Sequence, residues 1–219
     1  MDRIVIAIDG PAGAGKSTIS KIVAKKLNIE YIDTGAMYRA VTLKLKRKNV
    51  SLSDEEELKK IMDETDIDFV NSRVYLDGED VSEEIRMPYV SEMVSEVAAK
   101  GVVREKLVQL QRNMAAKKSV IMDGRDIGTN VLKDANYKIY LTASVEERAE
   151  RRYKEMKEKG INVTFSEICH DIQERDRIDM SREINPLKKA EDAVLVDTTG
   201  KGIDDVVEEI LKIANSRGR

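Results

Sequence analysis

Gly10-Pro11-Ala12-Gly13-Ala14-Gly15-Lys16-Ser17 places small residues, a cation and a hydroxyl at a spacing with definite chemistry. It fits the pattern G-x-x-x-x-G-K-[ST], in which glycines let backbone N–H groups turn inward around phosphate oxygens. Lys16 can reach a β- or γ-phosphate as a point charge, and Ser17 can place its hydroxyl on a divalent cation. Gly10, Gly13, Ala14, Gly15, Lys16, Ser17 and Thr18 are therefore the expected triphosphate-binding residues, with Ser17 the expected metal ligand. Such a loop works only between a strand and a helix, because the helix N-terminus adds partial positive charge. Both are present. Ile4-Val5-Ile6-Ala7-Ile8 is a short, continuous, mostly β-branched run, and Ile19, Ile22, Val23 and Leu27 then recur on one helical face.

This pattern predicts binding of a nucleoside triphosphate without naming a reaction. No N-K-x-D tetrapeptide and no L-S-G-G-Q-like stretch occurs, and 219 residues are few for a motor ATPase. A small phosphotransferase remains, with its second substrate opposite the triphosphate. A switch protein that holds the triphosphate without transferring phosphate is the alternative from another class, and the missing N-K-x-D disfavours it.

Arginines supply the second constellation. Arg148, Arg151 and Arg152 share one side of a helix opened by Ser144, and Arg175, Arg177 and Arg182 follow. Gly160-Ile161-Asn162-Val163 between them reads as a helix-to-helix turn, giving an Arg-rich hairpin suited to a lid. Planar guanidinium groups match the charge spread over the equatorial oxygens of a transferring phosphoryl group. Two further segments, Asp33-Thr34-Gly35-Ala36-Met37-Tyr38-Arg39 and Asp123-Gly124-Arg125-Asp126-Ile127-Gly128-Thr129, each follow a strand. Ligands of parallel sheets bind at the carboxyl ends of strands, so both segments are expected to converge on the Gly-rich loop.

The elements that must position these residues alternate. After residues 4–8, Ile29-Glu30-Tyr31-Ile32, Ser119 to Asp123, Tyr137 to Leu141 and Ala193 to Val196 read as strands, with helices between them. The fold class is α/β, a five-stranded parallel sheet flanked by helices. Capping boxes are expected at Ser53 with Glu56, Ser144 with Glu147 and Thr164 with Glu167. Ile203, Val206, Val207, Ile210, Leu211 and Ala214 form the apolar stripe of a last, core-packing helix. The rhythm breaks at residues 65–85, where β-like pieces and the turn signal Asp77-Gly78 predict a small antiparallel insertion. The expected organisation is a single chain over 1–219. Its core lies at about 1–35, 115–145 and 185–219, its second-substrate region at about 36–114, and its helical lid at about 146–182.

Composition bounds the setting. One cysteine excludes an internal disulfide framework and fits a reducing compartment. A single histidine, His170, lies outside every motif and reads as a surface or helix-packing residue, while Cys169 beside it reads as a small buried hydrophobe. Charged residues make up 36% of the chain, yet the net charge is only −3, which argues against a nucleic-acid binder driven by bulk electrostatics. Apolar runs are strand-length and no signal-peptide layout opens the chain, so no membrane span and a cytoplasmic location are expected.

Asp9 to Ser17, Asp33 to Arg39, Asp123 to Thr129, Ser144 to Arg152 and Glu174-Arg175-Asp176-Arg177 together resemble the bacterial-type cytidylate kinases of the nucleoside monophosphate kinase superfamily, over nearly the whole chain. The resemblance implies ATP-dependent phosphorylation of CMP or dCMP with Mg²⁺, by an enzyme that is usually monomeric. It implies Thr34 and Asp126 on the cytosine ring, with Ser95 and Arg104 helping to hold the base. It puts Arg39, Arg125 and Arg182 on the CMP phosphate, and Arg175 and Asp179 on the pentose hydroxyls. Lys16, Arg125, Arg148 and Arg152 are the expected catalytic residues. The chemistry of Asp126 agrees. A carboxylate accepts from the exocyclic amine of cytosine and faces the O4 of uracil badly, and a site that leaves polar groups unpaired rejects the wrong ligand strongly. The attacking phosphate oxygen is already ionised, so no general base is required.

Overall fold

A computed structural model of the chain describes residues 3–70, 73–158 and 160–216. In chain order the elements are β1 (Val5–Asp9), α1 (Lys16–Leu27), β2 (Glu30–Asp33), α2 (Thr34–Arg47), α3 (Glu55–Asp63), β3 (Ile67–Val70), β4 (Arg73–Leu76) and β5 (Glu79–Asp80). A 3₁₀ turn (Glu84–Arg86) leads to α4 (Pro88–Ser91), α5 (Val94–Ala99), α6 (Gly101–Lys117) and β6 (Val120–Gly124). A wide π-helical turn (Ile127–Val131) leads to β7 (Tyr137–Thr142), α7 (Val145–Glu158), α8 (Phe165–Ser181), β8 (Val194–Asp197) and α9 (Ile203–Ser216). The chain divides into two compact units, Met1–Tyr31 with Lys118–Arg219, and Ile32–Lys117.

The first unit is built on the expected parallel sheet, in the order β2-β6-β1-β7-β8. The continuous apolar run of β1 follows from its place: it pairs in parallel with β6 on one side (Ile6 with Ile121) and β7 on the other (Ile8 with Ile139). Every residue of β1 is buried. Ile6, Ile8, Val23, Ile121, Ile139, Val196, Val207 and Ile210 share one core, each fully buried aliphatic side chain contributing about 1.5–3 kcal/mol. The stripe of α9 closes that core through Val206, Val207, Ile210 and Ala214, while Ile203 lies exposed at its start. Val194 and Leu195 are also exposed, because β8 is an edge strand with a neighbour on only one side.

The helical hairpin of α7 and α8 packs through Ala149, Ile168 and Ile172, with Cys169 half-buried against them rather than fully buried. His170 is exposed. The capping box at Thr164 and Glu167 is complete. At Ser144 only half of the box forms: its Oγ accepts from the Glu147 N–H at 3.1 Å, while the Glu147 carboxylate turns to Arg151. The box expected at Ser53 is absent. Asp54 caps α3, accepting from the Glu57 N–H at 3.0 Å, and Ser53 bonds back to Ser51 instead. The helix begins one residue later because Asp competes with Ser as an N-cap and is favoured by the helix dipole.

In the second unit α2 is buried along Met37, Ala40, Val41, Leu43 and Leu45. The insertion is a three-stranded antiparallel sheet, β3-β4-β5, with Ile67 opposite Leu76 and Val70 opposite Arg73. Asp77 and Gly78 join β4 to β5 with φ of 51° and 85°, the pair of positive values that a two-residue hairpin turn of matching twist requires.

Candidate active site

The Gly-rich loop opens at the carboxyl end of β1. Gly10 has no room for a side chain: a Cβ there would stand 1.9 Å from the Leu141 carbonyl oxygen of β7. Gly13 and Gly15 take φ of 75° and 87°, which favour glycine, and turn the chain into α1. No side chain caps α1, so its first N–H groups are left for an anion. Lys16 is buried, and its Nζ donates to the Gly10 and Pro11 carbonyls, both at 2.7 Å. Ala14 is buried, Ser17 half-buried, and Gly13 and Thr18 exposed.

Ser17 Oγ donates to Asp123 Oδ2 at 2.9 Å, and Tyr31 Oη donates to Asp123 Oδ1 at 2.7 Å. Asp123 lies on β6, the neighbour of β1, so the sheet itself delivers a buried carboxylate to the loop's hydroxyl. Hydroxyl and carboxylate are hard oxygen donors of the kind a small divalent cation takes together with phosphate oxygens and water. Among the described residues no group of three or more His, Cys, Asp or Glu side chains is placed to hold a metal ion.

The arginines of the α7–α8 hairpin divide. Arg148 is buried, not splayed to solvent with its neighbours. It donates to Asp176 Oδ2 at 2.6 Å, to the Ala12 carbonyl at 2.9 Å and to the Ala143 carbonyl at 3.1 Å. Asp176 Oδ1 accepts from the Ala12 N–H at 3.2 Å. Gly13 admits this approach, since a Cβ there would meet Arg148 Cβ at 3.1 Å. Arg151 donates to Glu147 and to Thr198, and its Nη1 lies 3.7 Å from where a Gly15 Cβ would be. Arg152 is more exposed and pairs with Glu155 at 3.0 Å.

Asp179 gathers the other group. Arg125 Nε donates to its Oδ2 at 2.7 Å, and Arg182 Nε donates to the Asp179 carbonyl at 3.3 Å. Burial would raise the Asp179 carboxyl, but the Arg125, Arg182 and Arg175 guanidinium groups outweigh it and hold it below the usual carboxylate range. Asp126, also buried, accepts from Asn130 Nδ2 at 3.0 Å. Arg175 is half-buried, one turn before Asp179 on α8.

Asp9, the last residue of β1, accepts from the Ile127 and Gly128 N–H groups at 2.7 and 2.8 Å. Burial lifts its carboxyl to about 6, Asp126 adds to the rise, and the two amides with Lys16 oppose it. Lys16 moves the other way. Burial first and Arg125 second push its ammonium down to about 7.

Thr34, Arg39, Ser95 and Arg104 stand in the second unit. Asp33 caps α2 by accepting from the Ala36 N–H at 2.8 Å, and its other oxygen accepts from Arg39 Nη2 at 3.0 Å. A Cβ on Gly35 would press at 3.2 Å on both partners. The Arg39 Nε is buried with no hydrogen-bond partner among the described residues. Thr34 is buried at the start of the helix and Ser95 half-buried on α5. Arg104 is buried, donates to the Ala98 carbonyl at 3.1 Å and lies over the Tyr38 ring at 5.8 Å.

Spacing puts Arg151 in the arginine cluster but gives no site role to Asp9, Tyr31, Asp123 or Asp176. A signal existed for Asp123: an acid ending a strand that must lie beside the loop strand. None existed for Asp176, whose contact depends on how α8 packs.

A model of the cytidylate kinase family matches residues 6–216. A cytidylate kinase of Clostridium perfringens (strain SM101 / Type A) is 58% identical over 207 residues, 94% of this chain and 95% of that protein. A cytidylate kinase of Clostridioides difficile (strain 630) is 55% identical over 215 residues, 98% of this chain and 100% of that one. Solved structures share the fold alone. A gluconokinase from Sinorhizobium meliloti aligns at TM-score 0.53 and 14% identity, over 98% of this chain and 94% of that chain. A shikimate kinase from Acinetobacter baumannii aligns at 0.50 and 16%, over 99% and 95%. With phosphate loop, strand-end acid and arginine-rich segments all inside a match that runs nearly from end to end, the chain belongs to the cytidylate kinase family.

Proposed function

We propose that this protein transfers the γ-phosphoryl group of ATP to CMP or dCMP, giving CDP or dCDP and ADP, as a cytoplasmic monomer. Family membership over residues 6–216 carries the reading, and the site's charge pattern supports it. The loop from Gly10 to Thr18 takes the triphosphate, with Lys16 leaving the Gly10 and Pro11 carbonyls for phosphate oxygens. Ser17 and Asp123 would hold Mg²⁺, which would supply neutralisation of phosphate charge.

On the acceptor side Arg39, Arg125 and Arg182 take the CMP phosphate. Asp179, which already orients Arg125, takes the pentose hydroxyls with Arg175. The buried Nε of Arg39 supplies a donor that finds no acceptor among the described residues. Asp126 and Thr34 read the cytosine edge, with Ser95 and Arg104 behind the base. Arg152, and Arg148 through the loop it grips, serve the transferring group. The attack needs no base, so catalysis is positioning and electrostatic stabilisation. The α7–α8 hairpin acts as lid and the region around 36–114, with its antiparallel sheet, as the monophosphate-binding part.

ADP release measured with ATP–Mg²⁺ over CMP, dCMP, UMP, AMP and shikimate tests this reading. CMP or dCMP should give the highest kcat/KM. A better result with UMP, AMP or shikimate overturns it.

A further inference from the structure

Asp9 is 4% exposed and pairs directly with no cation among the described residues, yet it sits one residue before the phosphate loop. Its two oxygens are spent on two successive backbone amides, Ile127 at 2.7 Å and Gly128 at 2.8 Å. Those amides open the Ile127–Val131 turn, which closes with i→i+5 bonds from Val131 to the Asp126 carbonyl and from Leu132 to the Ile127 carbonyl. Such turns are rare and concentrate at functional sites. The first N–H groups of any helical turn have no partner within it, and no side chain of the turn's own caps this one. Asp9 provides the missing acceptor from across the sheet. Gly128 keeps the approach open, because a Cβ there would stand 3.4 Å from Asp9 Oδ2 and 3.2 Å from Lys138 Cδ.

The residues immediately before the turn are Arg125 and Asp126. We infer that Asp9 is a positioning residue for the acceptor: by gripping the Ile127 and Gly128 amides it fixes where Arg125 and Asp126 stand, and it ties that segment to the base of the phosphate loop. The inference rests on the assignment of Arg125 and Asp126 to CMP made above. A stability role alone explains the residue poorly. Burial lifts its carboxyl to about 6, so at neutral pH the fold carries an ionised group that it disfavours. An anchor held at that cost fits a need for geometry.

Asp9→Asn tests this. The amide side chain can accept from one of the two N–H groups but turns an NH₂ toward the other. Three readouts are taken: steady-state kinetics for CMP and ATP separately, the melting temperature, and the backbone amide resonances of Ile127 and Gly128 without substrate. We expect kcat/KM for CMP to fall about 100-fold, KM for ATP to stay within about 3-fold, and melting to move by only a few degrees. Both amide resonances should shift. Gly128→Ala adds a methyl that meets Lys138 Cδ at 3.2 Å and touches the same carboxylate at 3.4 Å, and it keeps the test alive should Asp9→Asn fold poorly. It should lower kcat/KM for CMP in the same way, and the double variant should lose less than the product of the two single losses. CMP kinetics within about 2-fold of wild type would overturn the inference, as would equal losses for CMP and ATP that track melting, or independent effects of the two substitutions. The amide resonances depend on the anchor alone and wild-type turnover of CMP on the assignment alone, so the two failures are told apart.

Discussion

Arg148 and Asp176 form a buried ion pair at 2.6 Å, and between them they hold both backbone polar groups of one residue of the phosphate loop, the Ala12 N–H and carbonyl. The hairpin helices thus brace the loop through two charged side chains. Removing one member leaves the other buried and uncompensated.

Asp176→Asn should therefore destabilise the protein by about 3–5 kcal/mol. For a chain of this size that lowers the melting temperature by on the order of 10 °C, which calorimetry or circular dichroism reads. Melting within a degree or two of wild type would show that the pair does not brace the loop.

Arg125→Ala should behave oppositely. Arg182 remains beside Asp179, so the carboxylate keeps a cation when Arg125 goes. We expect kcat to fall by about 10²–10³, the cost typical of losing one donor to transition-state charge, with a shift of only a few degrees in melting. Loss of activity and loss of stability in step would count against that role.

Lys16 makes a proton prediction. Its folded value near 7 lies below that of a free lysine, through burial first and Arg125 second, so at about pH 8 most of it is neutral in the free protein. A polyphosphate beside it favours the ammonium. ATP binding at that pH should take up part of a proton, seen as a dependence of binding heat on the buffer's ionisation enthalpy. The same sign governs stability. The charged form is disfavoured in the fold, so the lysine's contribution grows more favourable as pH rises from about 7 towards the free-lysine range. Binding heats identical in all buffers would rule out the proton uptake.

The start of α3 separates two neighbours. Asp54→Ala should cost about 1 kcal/mol and fray the helix, while Ser53→Ala should change stability by less than half of that. Urea unfolding of the two variants measures the difference.

Much of this was legible because burial writes itself into sequence. β1 reads as a strand from an unbroken apolar run, since it has strands on both sides and core on both faces. Asp77-Gly78 announces its hairpin because few residue pairs accept two positive φ values. The misreadings have equally local causes. Ser53 and Asp54 are both good caps, and pattern alone does not rank adjacent candidates. Arg148, Arg151 and Arg152 have equivalent spacing, but only packing decides that Arg148 turns inward to Ala12 while Arg152 stays with Glu155. Asp9 ends β1 and Asp123 stands one residue before the end of β6, strands that pair across more than a hundred residues, so nothing local marks their partners.

The strand order has a consequence for how the chain is made. Among the described residues β1 pairs with β6 and β7, whose residues begin at Val120 and Tyr137. During synthesis from the N-terminus the most apolar strand of the sheet is finished first and waits longest, with both hydrogen-bonding edges open until more than half of the chain has followed. A ribosome stalled before Val120 would hold a phosphate-loop sequence that has no sheet to stand on. Such a nascent chain stays exposed to strand-to-strand aggregation until β6 and β7 arrive.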